Sequence, residues 1–425
     1  MYKGFAKSVL ILLVMGVMVL FIGCGNNEEV DDYENPQDKV ELEGVEGEEE
    51  EESEQDTEQD TEQDTEQDTE QDKTEEALEE LEEETDPSLP IIDNNDKKRV
   101  KARGIYLTAS SAASRLDYYI DIANTTEINS YVIDVKNDYG TVMYDSNVSL
   151  AIEIGAKNIM LDLERITNRL RENGIYSIAR IVVFKDPILA DARQDLAIKR
   201  PDGTLYTFNN SYWIDPYKEE TWEYNIDIAK EVLELGFDEV QFDYIRFPDG
   251  RRSDMHFEDT RGERSFSENI NDFLAYARLQ MPNDILSADI FAIVAESLGD
   301  TEGIGQHLET VGRDMDYICL MAYPSHYSPG QVINGVRFNE PDLDPYGIIK
   351  NTLLRTKERL DKVEGRTPKV RTYLQDFTAS WIANYQHYGP EQLREQIQAV
   401  YDAGYEEWLV WDHMNSYSIE GLEKK

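Results

Sequence analysis

Cysteine is nearly missing from this chain: Cys24 and Cys319 are the only two in 425 residues. Cys319 lies in an apolar run, Tyr317-Ile318-Cys319-Leu320-Met321, and reads as a core residue. No disulfide framework is available, so the fold has to rest on a hydrophobic core, which a chain of this length can build. Histidine is almost as scarce. The five present (His256, His307, His326, His387 and His413) include no His-x-x-x-His pair, so the sequence points to no metal centre. No Gly-x-Ser-x-Gly elbow occurs, neither cysteine is placed as a nucleophile, and no Gly-rich phosphate loop follows the first strand-like run. No cofactor is therefore expected. Positive charge is also short: 41 Lys and Arg face 88 Asp and Glu, a net charge of −47. That balance argues against nucleic acid as a partner.

The chain begins with Lys3 and Lys7, an apolar run from Val9 to Ile22, and then Gly23-Cys24-Gly25. A charged start, an apolar stretch and a small residue before a cysteine form a secretion signal rather than a fold element. The stretch Phe21-Ile22-Gly23-Cys24 resembles a bacterial lipoprotein signal. The resemblance implies cleavage just before Cys24, lipidation of that residue, and an extracytoplasmic protein held on the cell membrane by its lipid. An uncleaved N-terminal membrane anchor is the alternative. Residues 1–24 are thus expected to be a signal peptide that ends at the lipidated cysteine.

Residues 25–100 differ in kind. They hold 34 acidic and 5 basic residues, and the unit Glu-Gln-Asp-Thr repeats from Glu54 to Asp72. With almost no aromatic residues to bury, the segment is expected to be a disordered, self-repelling linker. Its contour of up to ~250 Å would carry a following domain well clear of a membrane.

From residue 101 to 425 short β-rich runs alternate with amphipathic stretches. The strand runs are 104–109, 130–136, 177–184, 236–248, 284–294, 317–323, 369–377 and 407–412. Helices are expected at 114–124, 159–172, 218–235, 267–279, 306–312, 345–360 and 391–403. Eight such alternations predict a parallel sheet closed into a (β/α)8 TIM barrel, with chemistry at the C-terminal strand ends.

The fourth run, Gly236 to Pro248, interleaves Phe237, Val240, Phe242, Ile245 and Phe247 with Asp238, Gln241 and Asp243. A carboxylate in so apolar a run is costly unless it is partnered or used. Side chains alternate along a strand, so Gln241 shares a face with Asp243, and Ser287 with Asp289. The other strand ends offer Tyr106, Asp134, Lys136, Arg180, Tyr323, Asp376, Trp411 and Asp412. Carboxylates with aromatic platforms, and no metal ligands, are the equipment that cuts glycosidic bonds.

Several motifs carry a resemblance. Gly-Ile-Tyr-Leu-Thr at 104–108, Val-Ile-Asp-Val-Lys-Asn-Asp-Tyr-Gly at 132–140, Phe-Asp-Tyr-Ile-Arg-Phe-Pro at 242–248, Met-Ala-Tyr-Pro-Ser-His-Tyr at 321–327 and Leu-Val-Trp-Asp at 409–412 occur in order. Together they resemble a glycoside hydrolase domain of bacterial secreted and lipoprotein-anchored proteins, distantly related to the α-amylase superfamily. The resemblance implies that Asp243 is the nucleophile, or the base if the enzyme inverts. It also implies an Arg two residues earlier, where Gln241 stands. No Glu occupies the expected acid position on the fifth strand; Asp289 is the nearest candidate, and Glu296 lies further on. Against a chitinase pattern, Ile245 falls where the catalytic Glu belongs.

The expected function is hydrolysis of glycosidic bonds in a cell-envelope or extracellular polysaccharide or oligosaccharide, by the pair Asp243 and Asp289. Tyr106, Asp134, Lys136, Arg180, Trp213, Arg246, Tyr323, Asp376, Trp411 and Asp412 are expected to contact substrate. The alternative is a non-catalytic, envelope-bound carbohydrate-binding protein on the same scaffold.

Overall fold

All eight β-rich runs form strands in the computed structural model, which describes residues 99–425. They are β1 (Arg103–Leu107), β2 (Ser130–Lys136), β3 (Tyr176–Val182), β4 (Glu239–Asp243), β5 (Ile285–Phe291), β6 (Tyr317–Met321), β7 (Lys369–Gln375) and β8 (Trp408–Trp411). Each pairs in parallel with the next, and β8 pairs with β1, so the sheet closes into the (β/α)8 barrel. The expected signal with Cys24, and the expected linker up to its last two residues, lie outside the described residues.

Helices cover the barrel, most of them started by a capping side chain or a proline. These are α1 (Ala109–Thr125), α2 (Leu163–Glu172), α3 (Glu219–Glu234), α4 (Phe266–Gln280), α5 (Pro345–Leu360) and α6 (Pro390–Asp402). Thr108, Asp162, Ser265 and Asp344 each accept a backbone N–H of the first turn of the helix they precede, and Ser265 with Glu268 forms a full capping box.

Two helix expectations need correction. The helix expected from residue 159 starts only at Leu163, because Lys157–Leu161 is an added strand. It pairs with Val142–Tyr144, which extends the sheet beside β2. The helix expected at 306–312 does not form. Gly299, Gly303 and Gly305 all have positive φ just before it, and the chain crosses from β5 to β6 in turns. Gln306 instead accepts the Phe291 N–H, pinning the crossing to the end of β5.

The strands alternate as the pattern requires. Ile105, Leu107, Ile133, Ile181, Val240 and Phe242 belong to the large core shared with the helices, whereas Val132, Ile178, Ile285, Tyr317, Cys319, Tyr373 and Leu409 fill the barrel. Low in the barrel, Arg371 pairs with Glu239 at 2.8 Å with both side chains fully buried, and Ser287 and Tyr176 donate to the same carboxylate. One layer above, Gln241 donates to the Cys319 sulfur at 3.1 Å and accepts from the Tyr373 hydroxyl at 2.6 Å. This layer is the floor beneath Asp243.

Candidate active site

Asp243 ends β4, and its two oxygens are held separately. Oδ2 accepts from Arg180 Nε at 2.9 Å and Nη2 at 2.6 Å, and Oδ1 accepts from the Tyr244 backbone N–H at 2.6 Å. Tyr244 sits at φ +53°, a left-handed conformation that a tyrosine adopts only where its surroundings impose it. Charge-assisted bonds of this kind are short and fix the orientation of the carboxyl group.

Arg180 comes from β3, where it lies opposite Gln241. The guanidinium that the resemblance places on β4 is therefore supplied by the neighbouring strand, and Gln241 is left to knit the floor. Arg180 also donates to Asp134 at 2.7 Å and Asp138 at 3.0 Å, and the Tyr106 hydroxyl donates to Asp134 at 2.5 Å. β1 to β4 thus each contribute a member to one continuous network. Burial pushes the Asp134 carboxyl above its ordinary range, against the pull of Arg180 and Tyr106. Asp138 is also buried enough to be pushed up, but Arg180 and Lys185 bring it below the ordinary value.

Asp289, on β5, is in the opposite state. It is 1% exposed, and its Oδ1 has no hydrogen-bond partner among the described residues. Burial, and next the charge of Asp243, hold its carboxyl well above the ordinary range. The two neighbouring carboxyl groups therefore sit in different settings: Asp243 is gripped by Arg180 and a backbone N–H, whereas Asp289 is buried with its carboxyl pushed up. Such a pair divides naturally into a nucleophile or base and an acid.

Aromatic rings build the wall from β6 round to β1. Trp411 lies 6.3 Å from the Tyr106 ring, 5.4 Å from Tyr323 and 5.2 Å from Phe377, and Phe377 stacks on Trp381 at 5.9 Å. On the other side the Arg246 guanidinium is enclosed by Trp213, Tyr244 and Phe291, at 4.5 to 5.2 Å from the ring centroids. Arg246 and Trp213 are both buried and shape this wall from within.

Of the residues expected to contact substrate, Tyr106, Asp134, Arg180, Tyr323 and Trp411 come together with Asp243 and Asp289. Lys136 does not. A bulge in β2 pairs Asp134 with Arg180 but Lys136 with Ile181, a residue of the helix-facing core. Lys136 turns outward with it, pairs with Asp186 at 2.7 Å and donates to Asn225 on α3, fully buried. Asp376 and Asp412 are also taken up elsewhere, holding the C-terminal loop. Asp412 accepts the Ser416 N–H and Asp376 the Ser418 N–H, both at 2.7 Å. The sequence reading missed Asp138, Phe377 and Trp381. Asp138 stands inside the quoted 132–140 motif, and Phe377-Thr-Ala-Ser-Trp381 directly follows β7, so both signals were present.

Asp376 makes a stability prediction. Burial raises its carboxyl to about 7, and its Oδ1 has no partner among the described residues. Below pH ~4 the folded and unfolded states are both protonated; between ~4 and ~7 only the folded state keeps the proton, so stability falls as pH rises through that window. Asp376→Asn removes this penalty. The variant should gain stability over wild type between pH 5 and pH 8, by up to about 4 kcal/mol. Denaturant midpoints at both pH values check this, and an equal difference at both rejects it.

Residues 104–417 match the model of a family described as "Putative glycosyl hydrolase domain". Among solved structures, a hypothetical protein from Ruminiclostridium thermocellum ATCC 27405 is 46% identical; the match covers 44% of this chain and 96% of that one, with a TM-score of 0.42. The PgaB (BpsB) glycoside hydrolase domain from Bordetella bronchiseptica is 12% identical, covering 74% of this chain and 94% of that one, with a TM-score of 0.54. The second likeness shows the fold. No curated protein matches the chain.

Proposed function

This chain belongs to the glycosyl hydrolase domain family its barrel matches, and on that premise we propose that it cleaves a polysaccharide outside the cytoplasm with Asp243 and Asp289 as its reacting pair. The observation that carries the reading is the contrast in setting of two strand-end carboxyls: Arg180 and the Tyr244 N–H grip Asp243, while Asp289 is buried, with its carboxyl raised by burial and the Asp243 charge. Asp289 protonates the leaving glycosidic oxygen. Asp243 attacks the anomeric carbon, or activates a water to do so. Charge that develops on the sugar ring faces the Asp243 carboxylate, already oriented by two partners, so little reorganisation is needed as the bond breaks. Tyr106, Asp134 and Arg180 fix Asp243, and the rings of Tyr323 and Trp411 offer flat faces to a sugar.

The test is release of reducing ends by the full chain from purified cell-wall glycan and from a panel of soluble polysaccharides. Release from at least one of them supports hydrolysis. Retention on a glycan with no release would favour the non-catalytic carbohydrate-binding protein, a reading to which the deep burial of Asp289 lends weight.

The envelope as the place of action rests on the sequence before the barrel. A lipid on Cys24 would hold the protein on a membrane, and the acidic segment would set the barrel at a distance from it. Cys24→Ala is expected to abolish incorporation of labelled palmitate into the protein in growing cells, and unchanged labelling would refute lipid anchoring at this residue.

A further inference from the structure

We infer that Trp381, stacked on Phe377, is a sugar-binding subsite remote from the catalytic pair, and that the substrate is accordingly a chain of several sugar units. The inference rests on the hydrolase reading for the identity of its ligand as a sugar.

Phe377 is 5% exposed, but Trp381 is 65% exposed, although the two rings lie within 13° of parallel. Most of the indole therefore makes no packing contact, and its flat face is free to take a ligand. Its place in the fold says what that something is. Phe377 meets Trp411 edge-on at 87°, and Trp411 lies against Tyr106, whose hydroxyl holds Asp134 in the Asp243 network. Three ring-to-ring steps of 5.2 to 6.3 Å thus lead from that network to Trp381. Each step is comparable to the span of one sugar ring. A pyranose presents a face of axial C–H groups, which packs on a flat aromatic surface, while its hydroxyls remain in water at the rim. A disaccharide bound for cleavage at Asp243 would leave Trp381 uncovered, whereas a longer oligosaccharide extending along the wall would cover it. His413, also exposed, lies at the same end of the wall, 6.4 Å from the Phe377 ring.

The experiment uses the full chain carrying Asp243→Asn, so that bound sugar is not consumed. Binding is measured calorimetrically with chito-, cello-, malto- and galacto-oligosaccharides of two and six units. At least one hexamer should bind about tenfold or more tightly than its dimer. Adding Trp381→Ala should collapse that ratio to near one, and Trp381→Phe should restore most of it. An unchanged ratio in the Trp381→Ala variant, or no binding of any hexamer, overturns the inference. The hydrolase reading stands or falls separately, because binding is read without turnover. Loss of hydrolytic activity in the parent reading leaves the chain-length ratio intact, and an unchanged ratio leaves hydrolysis intact. Trp381 is mostly exposed, so its replacement should leave the thermal unfolding profile unaltered.

Discussion

Asp243→Asn is expected to reduce turnover about 10³-fold or more, a loss of ~4 kcal/mol in transition-state stabilisation. The amide is nearly isosteric with the carboxylate. Its oxygen still accepts one hydrogen bond, but it carries no charge to oppose the developing cation and no lone pair basic enough to attack carbon or deprotonate water. The fold should survive the change. Removing one partner of a buried ion pair usually costs several kcal/mol because the other is left uncompensated. Arg180, however, retains Asp134 at 2.7 Å and Asp138 at 3.0 Å, so its charge remains paired. The expected signature is therefore a near-zero kcat with a thermal midpoint close to wild type. It is checked by reducing-end release on whichever glycan the wild type cleaves. Turnover within tenfold of wild type would remove Asp243 from the reaction.

The barrel was legible because its signals are local and repeated. Each strand run is short, β-rich and bounded by turn residues, and most of the long helices have a capping side chain or a proline at their start. What failed to read were features set by register and by crowding rather than by pattern. Lys136 falls on the same alternation as Asp134, so period-two reasoning put it in the cleft. One extra residue in β2 reversed its face, and nothing in the composition of 130–136 announces a bulge. The turn-rich crossing after β5 read as helix because Gln306–Gly312 has helix-like residues, while the glycines just before it decide the outcome. Asp376 and Asp412 were placed correctly at strand ends, but the loop from 413 to 418 folds back and takes up both carboxylates, a long-range effect that strand position cannot show. The source of the Arg180 contact was also hidden. A strand motif reports which residues precede Asp243, not which strand lies alongside it, and the guanidinium arrives from β3 across the register that pairs Arg180 with Gln241.

Asp289→Asn is the second large effect, and its form identifies the role as well as the residue. A general acid contributes roughly 10²–10⁴-fold, so kcat on natural glycan should fall by that range. The fall depends on how badly the departing oxygen needs a proton. A sugar alkoxide needs one and a dinitrophenolate does not, so the variant should recover most of its turnover on a dinitrophenyl glycoside of the same sugar. The pH profile gives an independent check. Burial and the Asp243 charge raise the Asp289 carboxyl well above its usual range, so the acid is loaded at low pH and is emptied as pH rises through that elevated value. Wild-type activity should therefore decline on the alkaline side, and in Asp289→Asn that decline should vanish because nothing is left there to lose a proton. The alternatives at the mouth are poorly suited to the task. Asp138 is held ionised by Arg180 and Lys185, and Glu296 is occupied by the Asn334 N–H at 2.7 Å, with Arg355 at 3.8 Å. A variant that kept both its alkaline limb and its activity on natural glycan would show that the proton comes from elsewhere. A uniform loss on both substrate types would show that Asp289 positions Asp243 from below rather than donating to the leaving group.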